Sequence, residues 1–395
     1  MNLASNVVQT PSPTRRRVLF VDHAAVMGGA ELSLLDLAIA YRDTSRVLLF
    51  DQGPFRERLE GANVPVQVIA APASLLSVKA SGGLSALKAM PGLGWMARRI
   101  VEQSRDVDLI HANSQKAFVA AALARLMGAP PVVWHLRDIL TAGHFSAMNR
   151  RLAIALANAQ ASQVMVNSQA TGEAFVAAGG RPNLVHLVYN GLSAQPFDAV
   201  SEEQAIALRQ ELGLGADVPI IGSFSRLSYW KGQHVLLEAV RSLPEVQVLL
   251  VGKSLFGEDE YVAQLQDLAA SPELAGRVHW IGFRTDIPAL MKACSIVAHT
   301  STEPEPFGRV IVEGQLAQRP VIATAAGGAV ELVEDGVTGR LVPPKDAIAL
   351  RQAIQDILEH PQQTADLAQR GYDHAKATFS LESLLTNFDH ALSLI

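Results

Sequence analysis

The chain of 395 residues lacks most features that would cross-link it or anchor it in a membrane. Cys294 is its sole cysteine, so no internal disulfide can form and a reducing compartment is expected. No run of about 18 uninterrupted apolar residues occurs, and therefore no membrane-spanning helix is predicted. The first residues, MNLASNVVQTPSPTRRR, lack the apolar core of a signal peptide, and 1–16 are expected to form a disordered lead-in. These absences predict a cytoplasmic protein that contacts membranes only peripherally.

The chain also lacks an excess of positive charge. It has 33 Lys and Arg residues against 38 Asp and Glu residues, which gives a formal net charge of -5. This balance argues against a nucleic-acid-binding protein that relies on overall positive charge, so no nucleic-acid partner is expected. Hydrophobic residues make up 49% of the sequence, which is typical of a globular protein, and the length favours two domains.

Two common nucleotide-binding motifs are missing. Gly252-Lys253-Ser254 follows a predicted strand like half of a P-loop, but Gln247 stands where the first glycine of that motif is required. Gly92-Leu93-Gly94 follows no strand and lacks the third glycine of a dinucleotide-binding fingerprint. Any nucleotide site must therefore be built in another way.

Short apolar runs recur along the chain, separated by helical stretches of about a dozen residues, which is the pattern of a parallel α/β sheet. In the first half they lie at 18–22, 47–50, 66–69, 109–111, 132–135, 164–167 and 184–188. After a polar stretch rich in Pro and Gly the pattern resumes at 220–223, 246–251, 278–281, 295–299 and 320–324. We predict two α/β domains, 17–195 and 219–379, joined by a linker at 196–218, with a further amphipathic helix over 380–395.

The segment EPEPFGRVIVEGQLAQRPVIAT, residues 303–324, places Glu305 eight residues before Glu313. Pro306 suits the first turn of a helix, and the pattern predicts that helix over 307–315. Gly308, Arg309 and Val310 would then offer first-turn amides to a diphosphate, while the two carboxylates accept hydrogen bonds from sugar hydroxyls. The pair therefore suits a nucleotide sugar better than proton transfer. The alternative is a capped amphipathic helix that carries two unrelated acids.

Two cations follow the first strand of the second half. In SFSRLSYWKGQH, Arg226 and Lys231 precede an amphipathic helix, and together with its N-terminus they could form a phosphate site without a metal. The alternative is two solvated cations.

The first half offers a second place for a ligand. Gly28 and Gly29 lie between the first strand and its helix, where they either let a ligand approach the backbone or form an ordinary turn with positive φ. His135 ends the strand PVVWH and is expected to point toward the ligand, although a satisfied strand-end histidine is the alternative. His23 and His299 are weaker candidates of the same kind.

The segment EPFGRVIVE resembles the E-x7-E motif of the retaining glycosyltransferases of family 4, which have the GT-B fold. The segments GGAELSLLDLA, VNSQATGEAF, VYNGL, GSFSRLSYWKG, VLLVGK and PVIATAAGGAVELVEDGVTGRLVPPKD also occur in that family's order, over roughly residues 17–380. The resemblance implies two Rossmann-like domains that face a central cleft, with the C-terminal helix returning to the N-terminal, acceptor-binding domain.

Site residues follow from the resemblance one by one. Arg226 and Lys231 would bind the donor diphosphate, Glu313 the ribose and Glu305 the transferred sugar. The backbone amides around Phe307, Gly308, Arg309 and Val310 would hold phosphate or sugar. The resemblance further implies donor contacts at Gly28, Gly29, Gly252, Phe283 and Arg284, with the last two near the base. His135 would lie near the reaction centre, although Leu136 and Arg137 separate it from Asp138, whereas many relatives have His and Asp adjacent.

The activity implied is retaining transfer of a sugar from a nucleoside-diphosphate sugar, UDP- or GDP-linked, to a glycan or lipid-linked acceptor. The catalytic residues would be His135, Glu305, Arg226 and Lys231, with no metal or other cofactor. The alternatives are a nucleotide-sugar epimerase on the same fold and a non-catalytic nucleotide-sugar-binding subunit.

Residues 74–105 combine five cations, one acid and scattered apolar side chains. This composition fits a segment that lies on an anionic membrane surface, at the inner face of the cytoplasmic membrane. The alternative is a pair of helices whose apolar face is core and whose cations are solvated.

Overall fold

The computed structural model describes residues 15–24, 26–72, 85–141, 146–215, 217–254 and 257–395, with the backbone alone for 85–90. The chain divides into two compact units. Unit 1 comprises residues up to 191 together with 384–395, and unit 2 comprises 192–383. Among the described residues, no helix has both the length and the apolarity to cross a bilayer.

Unit 1 is built on a seven-stranded parallel sheet with the order β3-β2-β1-β4-β5-β6-β7. The central strands are apolar runs buried on both faces, as expected where helices cover both sides of a sheet. The strands are β1 Val18–Asp22, β2 Arg46–Leu49, β3 Val66–Val68, β4 Leu109–Ala112, β5 Val132–Leu136, β6 Ala161–Val166 and β7 Val185–Leu187. The helices are α1 Gly29–Ala40, α2 Pro54–Gly61, α3 Ser85–Gln103, α4 Gln115–Leu126, α5 Ala147–Gln160 and α6 Gln169–Ala177.

The C-terminal helix α16, Leu381–Ser393, completes the core of unit 1 from Leu384 onward. Phe388 packs between Phe20 and Tyr41, with ring centroids 6.4 Å and 5.5 Å away. Gln163 donates a hydrogen bond to the Ala391 carbonyl at 2.7 Å. The return of the last helix to the first domain is confirmed.

Unit 2 has a six-stranded parallel sheet with the order β10-β9-β8-β11-β12-β13. Its strands are β8 Ile220–Phe224, β9 Gln247–Val251, β10 Val278–Gly282, β11 Ile296–His299, β12 Val321–Thr324 and β13 Arg340–Val342. Its helices are α7 Gln195–Asp198, α8 Glu202–Glu211, α9 Gln233–Val240, α10 Asp259–Ala269, α11 Ile287–Ala293, α12 Arg309–Leu316, α13 Ala329–Leu332, α14 Ala347–Glu359 and α15 Pro361–Thr378. In each unit the strand order reverses beside the first strand, and open α/β sheets bind ligands at the carboxyl end of that point.

The prediction of two parallel α/β domains is confirmed, with two corrections. The segment 196–218 is not a linker but part of unit 2. Its helix α8 begins with a capping box at Ser201, and Leu208 packs with Leu290 of α11. The segment was predicted to be a linker because it is polar, but α8 buries one face, which contains Ala205 and Leu208. Strand β13 was missed because it begins with the charged Arg340 and so contains only two consecutive apolar residues, Leu341 and Val342.

Candidate functional site

Close backbone contacts at glycines join the loops at the carboxyl end of the unit 2 sheet. A β-carbon on Gly232 would lie 1.9 Å from the carbonyl oxygen of Thr300, after β11. One on Gly252 would lie 2.0 Å from the carbonyl oxygen of Ser225, after β8. These glycines have φ of 70° and 141°, so glycine is required there on both steric and conformational grounds. Gly252 therefore packs two loops together, and its contact with a donor stays a prediction.

Glu305 follows β11 and is nearly buried, with its side chain 8% exposed. Its Oε1 accepts a hydrogen bond from Lys231 Nζ at 2.5 Å, lies 3.0 Å from His299 Nε2 and also accepts from the Ser301 hydroxyl. Burial by itself would raise the pKa of Glu305, but Lys231 and His299 outweigh it and hold the pKa well below its ordinary value. The carboxylate is therefore ionised and can accept hydrogen bonds from hydroxyl groups.

The helix that carries Glu313 begins later than the sequence predicts. Its first residue is Arg309, and Gly308 is the N-cap with φ 95°. Pro306 and Phe307 consequently lie in the preceding loop, because a left-handed residue cannot continue a helix toward its N-terminus. The Phe307 side chain is buried against Phe379, with ring centroids 5.8 Å apart. Only its backbone is thus available to a ligand.

Glu313 lies one turn into α12 and pairs with Arg309, whose Nε donates to Oε1 at 2.9 Å. Burial raises the pKa of Glu313, and the Arg309 guanidinium opposes that rise. The two acids therefore differ in environment, although the same segment carries both: Glu305 is held ionised, whereas Glu313 binds a proton more readily than an ordinary glutamate.

The two predicted cations differ in exposure. Arg226 is exposed, and its loop is fixed by buried Gln233, which donates to Ser225 Oγ and to the Arg226 carbonyl, both at 2.8 Å. Lys231 is only 16% exposed because it pairs with Glu305 and lies over the Trp230 ring, 4.1 Å from the centroid. One small cavity is lined by residues of these loops, among them Ser225, Lys231, His299, Thr300, Ser301, Glu305 and Val310.

Phe283 and Arg284 lie at the carboxyl end of β10. Phe283 is 65% exposed, and Lys253 Nζ lies 5.6 Å from its ring centroid. Arg284 forms a two-pronged ion pair with Asp286, with distances of 2.8 Å and 2.6 Å. The exposed ring suits stacking against a base, while the Arg284 guanidinium is already engaged within the chain.

In unit 1, the predicted catalytic His135 is fully buried rather than open to solvent. Its Nδ1 lies 3.0 Å from His111 Nε2 and 3.3 Å from Arg137 Nη2. Arginine can only donate, so Nδ1 accepts and the proton of a neutral His135 lies on Nε2. Within the described residues Nε2 has no hydrogen-bond partner. Burial and the charge of Arg137 hold the pKa of His135 well below its ordinary value, so His135 is neutral.

Arg137, to which the sequence analysis assigned no role, is central to this buried network. Its Nε donates to Asn113 at 2.6 Å and its Nη1 to Asn190 at 2.7 Å, while Asn113 donates to Asp22 at 2.6 Å. These residues follow or end parallel strands, which brings them to the carboxyl edge of the sheet. The signal was the spacing that sets Arg137 between His135 and Asp138, where relatives commonly have no intervening residues.

Gly28 and Gly29 do not form a turn with positive φ. Gly28 is the N-cap of α1 with φ -130°, and a β-carbon there would lie 2.7 Å from Glu31 Oε2. A β-carbon on Gly29 would meet no atom within 4 Å, so the start of α1 is open on that side. The alternative of an ordinary turn with positive φ is therefore wrong. Approach of a ligand to the start of α1 stays a prediction.

Two α/β units, each built on a parallel sheet of this strand order, are the architecture of the GT-B glycosyltransferases. Residues 28–191 match the family described as Glycosyl transferase 4-like domain, and 204–374 match Glycosyl transferases group 1. The chain belongs to the group 1 glycosyltransferases and transfers a sugar from a nucleotide sugar.

Solved and curated relatives agree with this assignment. The structure of Anabaena HepE in complex with UDP is 43% identical, covers 96% of this chain and 100% of that chain, and has a TM-score of 0.87. A D-inositol 3-phosphate glycosyltransferase of Mycobacteroides abscessus is 28% identical over 98% of this chain and 84% of its own length. The lipopolysaccharide core biosynthesis glycosyltransferase LpsE of Rhizobium meliloti is 32% identical over 45% of this chain and 50% of its own length.

Proposed function

We propose that the chain is a retaining, metal-independent glycosyltransferase whose donor is a UDP-linked hexose. The observation that carries this proposal is the buried cluster of Lys231, His299 and Glu305 beside the start of α12. It combines a cation for phosphate with an ionised carboxylate for hydroxyl groups. The UDP base and a glucosyl group are supported by HepE, of which complexes with UDP and with UDP-glucose are known at 43% and 42% identity.

The main catalytic demand is to stabilise the diphosphate as it leaves. Arg226, Lys231 and the first-turn amides of α12 provide positive charge and oriented dipoles at fixed positions, which is the most effective form of electrostatic catalysis. Glu305 accepts from hydroxyls of the transferred sugar and Glu313 from the ribose. The bond between the anomeric carbon and the phosphate oxygen breaks, the acceptor oxygen bonds to that carbon on the same face, and the acceptor proton passes to the departing diphosphate.

The neutral state of His135 bears on its role. With Nδ1 accepting from Arg137, it offers an Nε2–H donor and is not a strong base. Its proposed role near the reaction centre is therefore that of a hydrogen-bond donor and not of a general base.

The test is transfer from UDP-glucose to a panel of glycan and lipid-linked acceptors, in the presence of EDTA. We expect UDP release only when an acceptor is present, and a product whose anomeric coupling constant matches that of the donor. Inversion, or complete loss of turnover in EDTA that magnesium or manganese restores, would contradict the proposal. Interconversion of nucleotide sugars without acceptor would indicate an epimerase, and tight donor binding without turnover a binding subunit.

For the acceptor, we propose a lipid-linked or glycan substrate at the cytoplasmic face of the membrane, with peripheral contact through α3. Trp95 is 42% exposed and Arg98 is exposed, which supports this contact. Leu93 and Met96, which the membrane hypothesis also counted, instead belong to the core of unit 1. Of the segment 74–105, residues 74–84 and the side chains of 85–90 lie outside the described part. Salt-sensitive binding to anionic vesicles, weakened by Arg98→Glu, is expected; no binding at low salt would contradict it.

A further inference from the structure

His299 is the last residue of β11 and lies beside Glu305, the acid proposed to bind the transferred sugar. It is 4% exposed, and its Nε2 lies 3.0 Å from Glu305 Oε1. On the other side of the ring, Nδ1 is 3.4 Å from Thr324 Oγ1, and the Thr324 hydroxyl donates to the Ser301 carbonyl at 2.9 Å. The ring thus lies between two neighbouring strand ends. Its Nε2 is within ion-pair distance of the carboxylate but forms no hydrogen bond to a described residue in this structure.

Glu305 shares one oxygen, Oε1, among Lys231, His299 and Ser301. Of the two nitrogen partners, Lys231 is the more accessible, with 16% of its side chain exposed against 3% for His299. If Lys231 binds the donor diphosphate, as the proposed function requires, it faces two anions at once, and its contact with Glu305 would weaken as it turns to the phosphate. His299 has no such competitor, because its ring is enclosed and Thr324 restrains its other nitrogen.

We propose that His299 is a positioning residue for sugar transfer: it keeps the Glu305 carboxylate charge-compensated and correctly oriented while Lys231 engages the donor diphosphate. This inference rests on the proposed function. This role requires Nε2–H to donate to Oε1 once Lys231 has turned to the phosphate.

Side-chain reach provides the sharpest test. The amide nitrogen of Gln stands about as far from Cα as Nε2 of His, whereas that of Asn stands where Nδ1 does. His299→Gln therefore keeps an N–H group that can reach the Glu305 carboxylate, while His299→Asn, although equally polar, does not. His279→Asn is the matched control, because His279 is a half-buried strand histidine bonded to Gln247 at 3.0 Å and contacts no acid of the site.

Steady-state transfer from UDP-glucose and UDP affinity by calorimetry are measured for each variant. We expect His299→Asn to lower kcat by about tenfold to a hundredfold, the value of one hydrogen bond to a charged group. UDP affinity should stay unchanged. His299→Gln should restore most of kcat, and His279→Asn should match the wild type. Equal kcat for the Gln and Asn variants, at any level, would overturn the proposal. Activity would then not depend on whether the side chain at position 299 can donate a hydrogen bond to Glu305.

A double-mutant cycle separates positioning from general packing. In a Glu305→Gln background there is no carboxylate to orient, so adding His299→Asn should change kcat by less than about twofold. A further loss as large as in the wild type would refute the role. Lack of any transfer by the wild type would instead count against the proposed function itself, independently of the ratios among variants.

Discussion

A β-carbon placed on Gly327 would lie 2.3 Å from the carbonyl oxygen of Glu305 and 2.7 Å from its amide nitrogen. Gly327 follows β12 with φ 61°, and the next amide, that of Gly328, donates to the same carbonyl at 2.8 Å. The loop after β12 thereby fixes the backbone of Glu305, so that the position of the carboxylate depends on a residue with no side chain.

We therefore predict that Gly327→Ala impairs both folding stability and turnover, because a methyl group must displace the Glu305 backbone. Gly276→Ala is the matched control: its φ is 76°, but a β-carbon there meets no atom within 4 Å. The control should cost about 1 kcal/mol for the left-handed conformation alone and leave kcat unchanged. Thermal unfolding and steady-state kinetics would decide; wild-type kcat in Gly327→Ala would show that this backbone contact does not position the acid.

From the sequence alone, site residues could be grouped only where they lie close together along the chain. The E-x7-E spacing indicated the acids, and the apolar runs indicated both sheets. His299 precedes Glu305 in the same segment, but the loop conformation that brings their side chains together cannot be read from the spacing. Gly327 could not be assigned to Glu305 from the sequence, because it follows the neighbouring strand β12. Arg137 was missed for the same reason: its partners Asn113 and Asn190 follow other strands.

The boundary errors have local causes. The pattern allowed a helix from Phe307, but Gly308 takes a left-handed conformation that delays the start to Arg309. Strand β5 ends at Leu136, one residue later than predicted, so His135 is its last residue but one. The burial of His135 was not predicted, because it depends on His111 and Arg137 from the surrounding network.

For the acidic pair, we predict that Glu305→Gln lowers turnover by at least tenfold while nucleotide affinity is retained, because the proposed partner of Glu305 is the sugar and not the nucleotide. Glu313→Gln should instead weaken binding of UDP as well as of the donor, because its assigned partner is the ribose. Calorimetric titration with UDP and with UDP-glucose separates the two. Normal activity of Glu305→Gln, or unchanged UDP affinity of Glu313→Gln, would show that the respective role is misassigned.

For the cations, Arg226→Ala and Lys231→Ala should each weaken donor binding by about tenfold to a hundredfold, since a hydrogen bond to a charged group contributes roughly 1.5–3 kcal/mol. Lys231→Ala should also reduce kcat, because it removes one partner of the buried Glu305 carboxylate. Arg241→Ala is the control: Arg241 forms surface ion pairs with Glu238 and Glu273 in the same unit, and such pairs contribute little. Donor affinity that falls equally in all three variants would contradict the assignment.

The last prediction concerns Glu31, in the first turn of α1. Its carboxylate is 9% exposed, and burial together with the nearby charge of Asp22 raises its pKa to about 7, against 4.5 ordinarily. Burial alone would raise the pKa of Asp22, but hydrogen bonds and charge from His23 and a hydrogen bond from Asn113 outweigh it and lower that pKa, so Asp22 is the member of the pair that carries the charge.

The sign of the effect follows from proton binding. Between about pH 4.5 and pH 7 the folded chain keeps the Glu31 proton that the unfolded chain has lost, so this group makes stability fall as pH rises through that range. The full difference is of the order of 3 kcal/mol.

Glu31→Gln copies the neutral acid, and its amide oxygen can still accept from the Gly28 amide. We therefore expect the variant to be more stable than the wild type at pH 8 and similar to it at pH 5. Glu57→Gln, at an exposed acid in the first turn of α2, is the control and should show no such divergence. Equal stability of Glu31→Gln and wild type at both pH values, measured by denaturant unfolding, would show that the buried carboxylate is not protonated in the folded chain at pH 5.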